Sequence, residues 1–246
     1  MVESQGAPTV GRRFGAFVEL IAAVAGLFLG AALIGSLVTP LLTAKLVTPV
    51  LGLGMWGAVI VGWLLLRRSG QSYRDLGLRR PVSWPRTIGW AAIVVIASEL
   101  GMIGVGWLIR NATRWPPLDT RYIRQSIEGN TLAYVIWIML VVWGSAAFGE
   151  ELLTRGFTLD RLEIIFGKSR LGLALAILLQ AAIFGLLHAI QGPTGVVLTG
   201  FIGVVLALGY VASGRNLWVA IIAHGLMDST SLTLMYFGLP LWGYIR

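Results

Sequence analysis

Residues 132–166 read LAYVIWIMLVVWGSAAFGEELLTRGFTLDRLEIIF, an apolar run from Leu132 to about Glu151 that keeps a helical apolar spacing on through Leu162 to Phe166. A bilayer core about 30 Å thick needs roughly 20 apolar residues at 1.5 Å each, so this stretch is long enough to span one. Six further runs of similar character surround it: Phe14 to Val38, Leu46 to Leu66, Thr87 to Ile109, Leu171 to Ile190, Val196 to Ala212, and Leu217 to about Phe237. Breakers and charge fill the connectors, most densely at Arg67 to Arg86 and Arg110 to Asn130. The expected fold is therefore all-α, a polytopic transmembrane helical bundle of about seven to eight spans.

Composition agrees. Across 246 residues, 57% are hydrophobic and 12% charged, against about 25% charged in a soluble domain. Mean hydropathy is +0.81. A disordered chain, a coiled coil and a disulfide scaffold are excluded, the last because there is no cysteine. The net charge of +8 could suggest nucleic acid, but that reading needs a basic face on a soluble fold. Here the arginines sit between apolar runs and orient them, so no nucleic-acid partner is expected. Counted by alternate sides, 13 Lys and Arg fall on the N-terminal side and 6 on the other, which places the N-terminus in the cytoplasm and, with seven spans, the C-terminus outside. Arg12-Arg13 before a long run without a small-residue cleavage site reads as the flank of an uncleaved first span. The expected organisation is a cytoplasmic tail over residues 1–13, N-terminal transmembrane helices over 14–128, and a second transmembrane core over 129–240. The expected location is an integral, multi-pass one, in the plasma (inner) membrane if the chain is bacterial.

Ionisable groups inside a span cost a few kcal/mol each and mark function. Glu19 and Glu99 stand singly and read as acids near span ends or paired to loop arginines. The second half is different, because polar residues cluster there: Glu150-Glu151-Leu-Leu-Thr-Arg155, Phe184-Gly-Leu-Leu-His188 and His224-Gly-Leu-Met-Asp228. Both histidines of the chain fall in apolar runs expected to be helical. Glu151 and Arg155 are i and i+4 and can pair along one face, which leaves Glu150, about 100° round the helix, free to point elsewhere. If the fourth span continues to Phe166 and reverses at Gly167 to Arg170, Glu150 and His188 each lie roughly 25 Å from the turn and reach one level. The same folding puts Asp228 nearer that level than His224, with His224 and Asp228 sharing one face of the last span.

A carboxylate in a dry pocket suits a general base that takes a proton from water. The histidines can polarise that water, bind a metal that does so, or stabilise an oxyanion. Hydrolysis of a carbonyl compound fits the set. No HExxH, cysteine or GxSG is present, which excludes the corresponding zinc, thiol and serine protease signatures.

At these motifs the chain resembles the CPBP intramembrane proteases, named for CAAX proteases and bacteriocin-processing enzymes and also called Abi. Their pattern is EExxxR, FxxxH, then HxxxN or HxxxD, on three helices in that order, and the likeness covers roughly residues 130 to 240. It implies an intramembrane metalloprotease that cleaves membrane-associated proteins or peptides, prenylated CAAX proteins among them, with the bilayer and that substrate as partners. By motif position Glu150 would activate water, His188 would sit beside it, and His224 and Asp228 opposite. Glu151, Arg155 and Phe184 would support them. Asp228 stands where the eukaryote-type CAAX protease has Asn; an ionised Asp accepts but does not donate, so it favours orienting His224 or binding a metal. His188 and His224 are the candidate ligands of a divalent metal such as zinc, and a metal-free glutamate mechanism stands beside that one. Two other classes stand as alternatives: a proton-coupled transporter using Glu19, Glu99, Glu150, His188 and Asp228, against which the sequence shows no repeated half or paired broken helix, and a non-catalytic scaffold.

Overall fold

The computed structural model describes residues 8–41, 50 and 52–239. Eight helices account for most of them: α1 Val10–Val38, α2 Met55–Arg68, α3 Trp84–Ala112, α4 Arg121–Ile127, α5 Thr131–Phe166, α6 Arg170–Leu186, α7 Gly192–Ala212 and α8 Leu217–Tyr236. No strand occurs among the described residues. Five helical stretches are long and apolar enough to cross a membrane; α6, with 17 residues, and α2, with 14, are shorter than the spans expected there. Residues 46–49 and 51 of the second expected span, residues 1–7 of the tail and residue 240 lie outside the described residues.

Local chemistry sets the ends. Thr9, Ser83, Asn130, Ser169 and Asn216 each cap a helix by accepting a backbone N–H two or three residues on. α5 stops at Gly167, whose φ of +87° lies in the region glycine tolerates, and Ser169 then opens α6. The helices pack through small residues: a Cβ on Gly57 of α2 would strike the Gly26 carbonyl of α1, and one on Gly185 of α6 would strike the Val196 carbonyl of α7. α1 and α3 instead present large apolar side chains outward, among them Phe17, Phe28, Leu33, Ile93, Ile96 and Ile103. A water-facing surface would not tolerate this, and a lipid-facing one does. The chain is an integral membrane helical bundle.

One end of the bundle is tied by the arginine-rich connector between α2 and α3. Tyr210 donates to the Leu76 carbonyl (2.7 Å), Tyr73 to the Val59 carbonyl (3.1 Å), and Arg215 pairs with Glu163 (2.6 Å). Glu19 of α1 pairs there with Arg161 of α5, as expected for an acid with an arginine partner, although the partner comes from a helix and not a loop. At the opposite end the connector between α3 and α5, where breakers and charge are dense, contains α4 and folds back onto the turn after α6 and the start of α7: Asp119 N–H donates to the Gln191 carbonyl (3.1 Å) and Thr194 to the Pro116 carbonyl (2.6 Å). α5 and α8 run antiparallel, locked at that end by Tyr134 stacked on Tyr236 (4.4 Å between ring centroids) and at depth by Glu151 against His224.

Candidate active site

α5 is π-helical over Trp137–Glu150 and Leu152–Thr158, with i→i+5 hydrogen bonds in place of i→i+4. Such turns widen a helix and are frequent at functional sites. The expected Glu151–Arg155 pair survives this geometry, with Nη1 donating to Oε1 at 2.8 Å and both side chains fully buried. Arg155 also donates to Thr154 Oγ1 (2.8 Å) and the Gly203 carbonyl of α7 (3.2 Å), and it lies over the Phe184 ring at 4.5 Å. It thereby fastens α5 to α6 and α7.

The same Glu151 Oε1 accepts from His224 Nδ1 at 2.8 Å. That contact, between residues 73 apart, corrects the expected level: His224, not Asp228, meets the glutamate pair. Asp228 Oδ2 is 3.4 Å from His224 Nε2, and its side chain is 42% exposed. Phe184 joins the group through its ring, edge-on to His188 (5.0 Å) and His224 (6.1 Å), and through its carbonyl, which accepts from His188 Nδ1 (2.9 Å). His188 is not inside a helix as expected. α6 ends at Leu186, and His188 stands at the break before a 3₁₀ turn at Ala189–Gln191. The chain is apolar straight through this point, but Gly192, with φ +79°, and Pro193 after it turn the backbone early.

Glu150, His188, His224 and Asp228 line one cavity of about 390 Å³. Glu151 and Arg155 do not reach it, being buried behind. One carboxylate oxygen of Glu150, like Oε2 of Glu151, is buried without a hydrogen-bond partner. With Nδ1–H given to a carbonyl, neutral His188 has its Nε2 lone pair free. The cavity thus holds a free carboxylate and two fixed imidazoles. A catalytic zinc takes three protein ligands and an open position. His224 spends one ring nitrogen on Glu151 and holds the other beside Asp228, and among the described residues no three of His, Cys, Asp and Glu converge to hold an ion. The donors as arranged do not fit that set.

Glu19 is paired away from the cavity, and Glu99 lies mid-way along α3 with a buried, unpartnered oxygen, neither at a span end nor on an arginine. The five groups of a transporter relay do not line one path. Sequence reading missed Gln180, a buried amide in the apolar α6 whose Nε2 donates to the Gly203 carbonyl (3.0 Å). The criterion that picked out the histidines would have found it. Trp137, Tyr122 and Gln191 of the cavity wall carry no such signal.

Residues 132–230 match the family model described as type II CAAX prenyl endopeptidase Rce1-like. The match covers 99 of the 246 residues and is to the Rce1-like family. The matched stretch begins on α5, ends on α8 and contains all three motifs, in agreement with the CPBP resemblance. No curated protein and no solved structure matches the chain. The matched segment includes every residue of the glutamate, arginine and histidine network, whereas α1 to α4 lie before it.

Proposed function

We propose that the chain is an intramembrane endopeptidase in which Glu150 activates the attacking water, acting on membrane-associated proteins or peptides, prenylated CAAX-type proteins among them. The observation that carries this reading is the Glu150 side chain lining one cavity with His188, His224 and Asp228. Glu150 takes a proton from water as its oxygen attacks the peptide carbonyl, and returns that proton to the departing amine. His188 Nε2 accepts from the same water and orients it. His224, fixed by Glu151, presents Nε2 to the cavity, and when protonated it donates to the developing oxyanion. Asp228 orients that ring. If the chain is bacterial, the plasma (inner) membrane is its site.

The test is cleavage of a quenched peptide by detergent-purified protein. Wild type is active, and Glu150→Gln and His188→Ala each lose at least about 100-fold, the scale of general acid–base catalysis. A chelator added to the same assay leaves wild type active, consistent with the donor count. Equal rates in wild type and Glu150→Gln refute the assignment, and loss with chelator restored by zinc refutes the metal-free step.

A further inference from the structure

The cavity is not centred along the bundle. α3, α6 and α8 run away from the arginine-rich connector and α5 and α7 run back toward it, so the same end of the molecule is the late part of three helices and the early part of two. The cavity takes its wall from those parts alone. On α5 it includes residues from Trp137 to Glu150 and none beyond; on α7 none beyond Ile202; on α8 only His224 to Met235; on α3 nothing before Met102; and on α6 only Phe184, in the last turn. Leu118, Thr120 and Tyr122 from the stretch between α3 and α5, and Gln191 from the turn after α6, complete it. Three of these four, Leu118, Tyr122 and Gln191, are partly exposed. The cavity therefore reaches the surface connectors of one end. Toward the arginine-rich end the bundle is closed, because Glu151 and Arg155 are followed by Phe157, Leu159, Leu206 and Leu217, none of which has any exposed surface.

Charge tells the two ends apart. The closed end carries six exposed arginines between Arg67 and Arg86, with Lys168, Arg170 and Arg215 at the two turns beside them. The end that the cavity reaches carries Arg110, Arg114, Arg121 and Arg124, and Arg121 is paired with Asp119. Lys and Arg in short connectors are held on the cytoplasmic side of a membrane. We propose that the site is worked from the non-cytoplasmic side, and that its substrates are translocated segments of membrane-anchored or exported polypeptides. This rests on the protease reading and narrows its substrates to those that present the bond to be cut outside the cytoplasm. A cytoplasmic tail does not reach Glu150, since its polar backbone would have to pass a packed apolar layer that offers it no hydrogen-bond partners.

The first test needs no turnover. Ser231→Cys puts a thiol on the cavity wall of a chain with no other cysteine, and Arg79→Cys puts one on the arginine-rich connector. With an impermeant maleimide, Ser231→Cys labels in sealed right-side-out membrane vesicles and not in inside-out ones, and Arg79→Cys does the reverse. Labelling of Ser231→Cys from the inside-out vesicles, or from neither kind, overturns the proposal. The second test adds the quenched peptide, in a form too polar to cross the bilayer, to the same two kinds of vesicle. Right-side-out vesicles holding wild type cleave it, inside-out vesicles do not until detergent opens them, and vesicles holding Glu150→Gln give the background. Cleavage by sealed inside-out vesicles likewise overturns the proposal. Wild type that cuts nothing even in detergent sinks the protease reading instead, and the labelling of Ser231→Cys still decides which face the cavity serves.

Discussion

Replacing Glu151 by Gln removes one charge from a pair in which neither side chain is exposed to solvent. Taking one partner from a buried ion pair costs about 3–5 kcal/mol, because the other charge is left desolvated and unpaired. For a chain of this size that corresponds to a fall in Tm of about 6–20 °C, at about 2–4 °C per kcal/mol. Arg155→Met, the reciprocal change, loses a similar amount. The double variant is the decisive one. It buries no charge, and the Gly203 carbonyl that Arg155 leaves still accepts from Gln180 (3.0 Å). Swapping a buried pair for apolar groups of similar volume is often close to neutral, so the double variant melts within a few degrees of wild type and the coupling energy is about 3 kcal/mol or more. Thermal unfolding in detergent, followed by near-ultraviolet signal, reads all four corners of the cycle. Additive losses, with the double variant the least stable of the four, would refute the claim that Glu151 serves Arg155.

Two further outcomes follow from the placement of the connectors. The chain has no cysteine, so single-cysteine variants label cleanly with an impermeant maleimide. Arg79→Cys, in the exposed part of the arginine-rich connector, labels from the cytoplasmic face, and Gln125→Cys, exposed on α4, from the opposite face; labelling of both from one side breaks the orientation derived from the arginine count. Asp119, outside the spans, is held down to a pKa of about 2 by the Arg121 guanidinium and backbone N–H that bond to it. Its contribution is therefore complete above the unfolded value of about 3.9 and is lost only as pH falls through about 2. Asp119→Asn leaves the slope of Tm against pH unchanged between pH 5 and 9, and a new slope there would contradict this assignment.

How much of this was legible follows from what each feature depends on. Span positions depend on apolar run length against bilayer thickness, and the ends of α1, α3, α5, α7 and α8 fall within about four residues of the runs. The Glu151–Arg155 pair depends on local spacing and was equally readable. The π turns of α5 were not, since i→i+4 and i→i+5 bonding draw on the same small and apolar residues. Nor was the break at His188, which is imposed by Gly192 and Pro193 downstream and not by the residues around it. Trp137 escaped notice because an indole counts as apolar in any hydropathy reading, although its N–H is polar.

The adjacent glutamates show why a paired motif can carry two unlike roles. Neighbouring positions on a helix point about 100° apart, so one carboxylate can face the packed interior while the next faces a cavity. Glu151 takes the interior position, and a single oxygen of it satisfies both Arg155 and His224. That fixes His224 in orientation and commits the charge of Glu151 to structure. Glu150, released from any such duty, lines the cavity. A lone glutamate could not do both, because the oxygen that holds the arginine and histidine in place is no longer a free base. The two positions should therefore separate cleanly by measurement: Glu151→Gln, whose amide oxygen still accepts from His224, registers mainly in Tm, and Glu150→Gln registers in kcat with Tm nearly unchanged. The reverse pattern would exchange the roles assigned to the two residues.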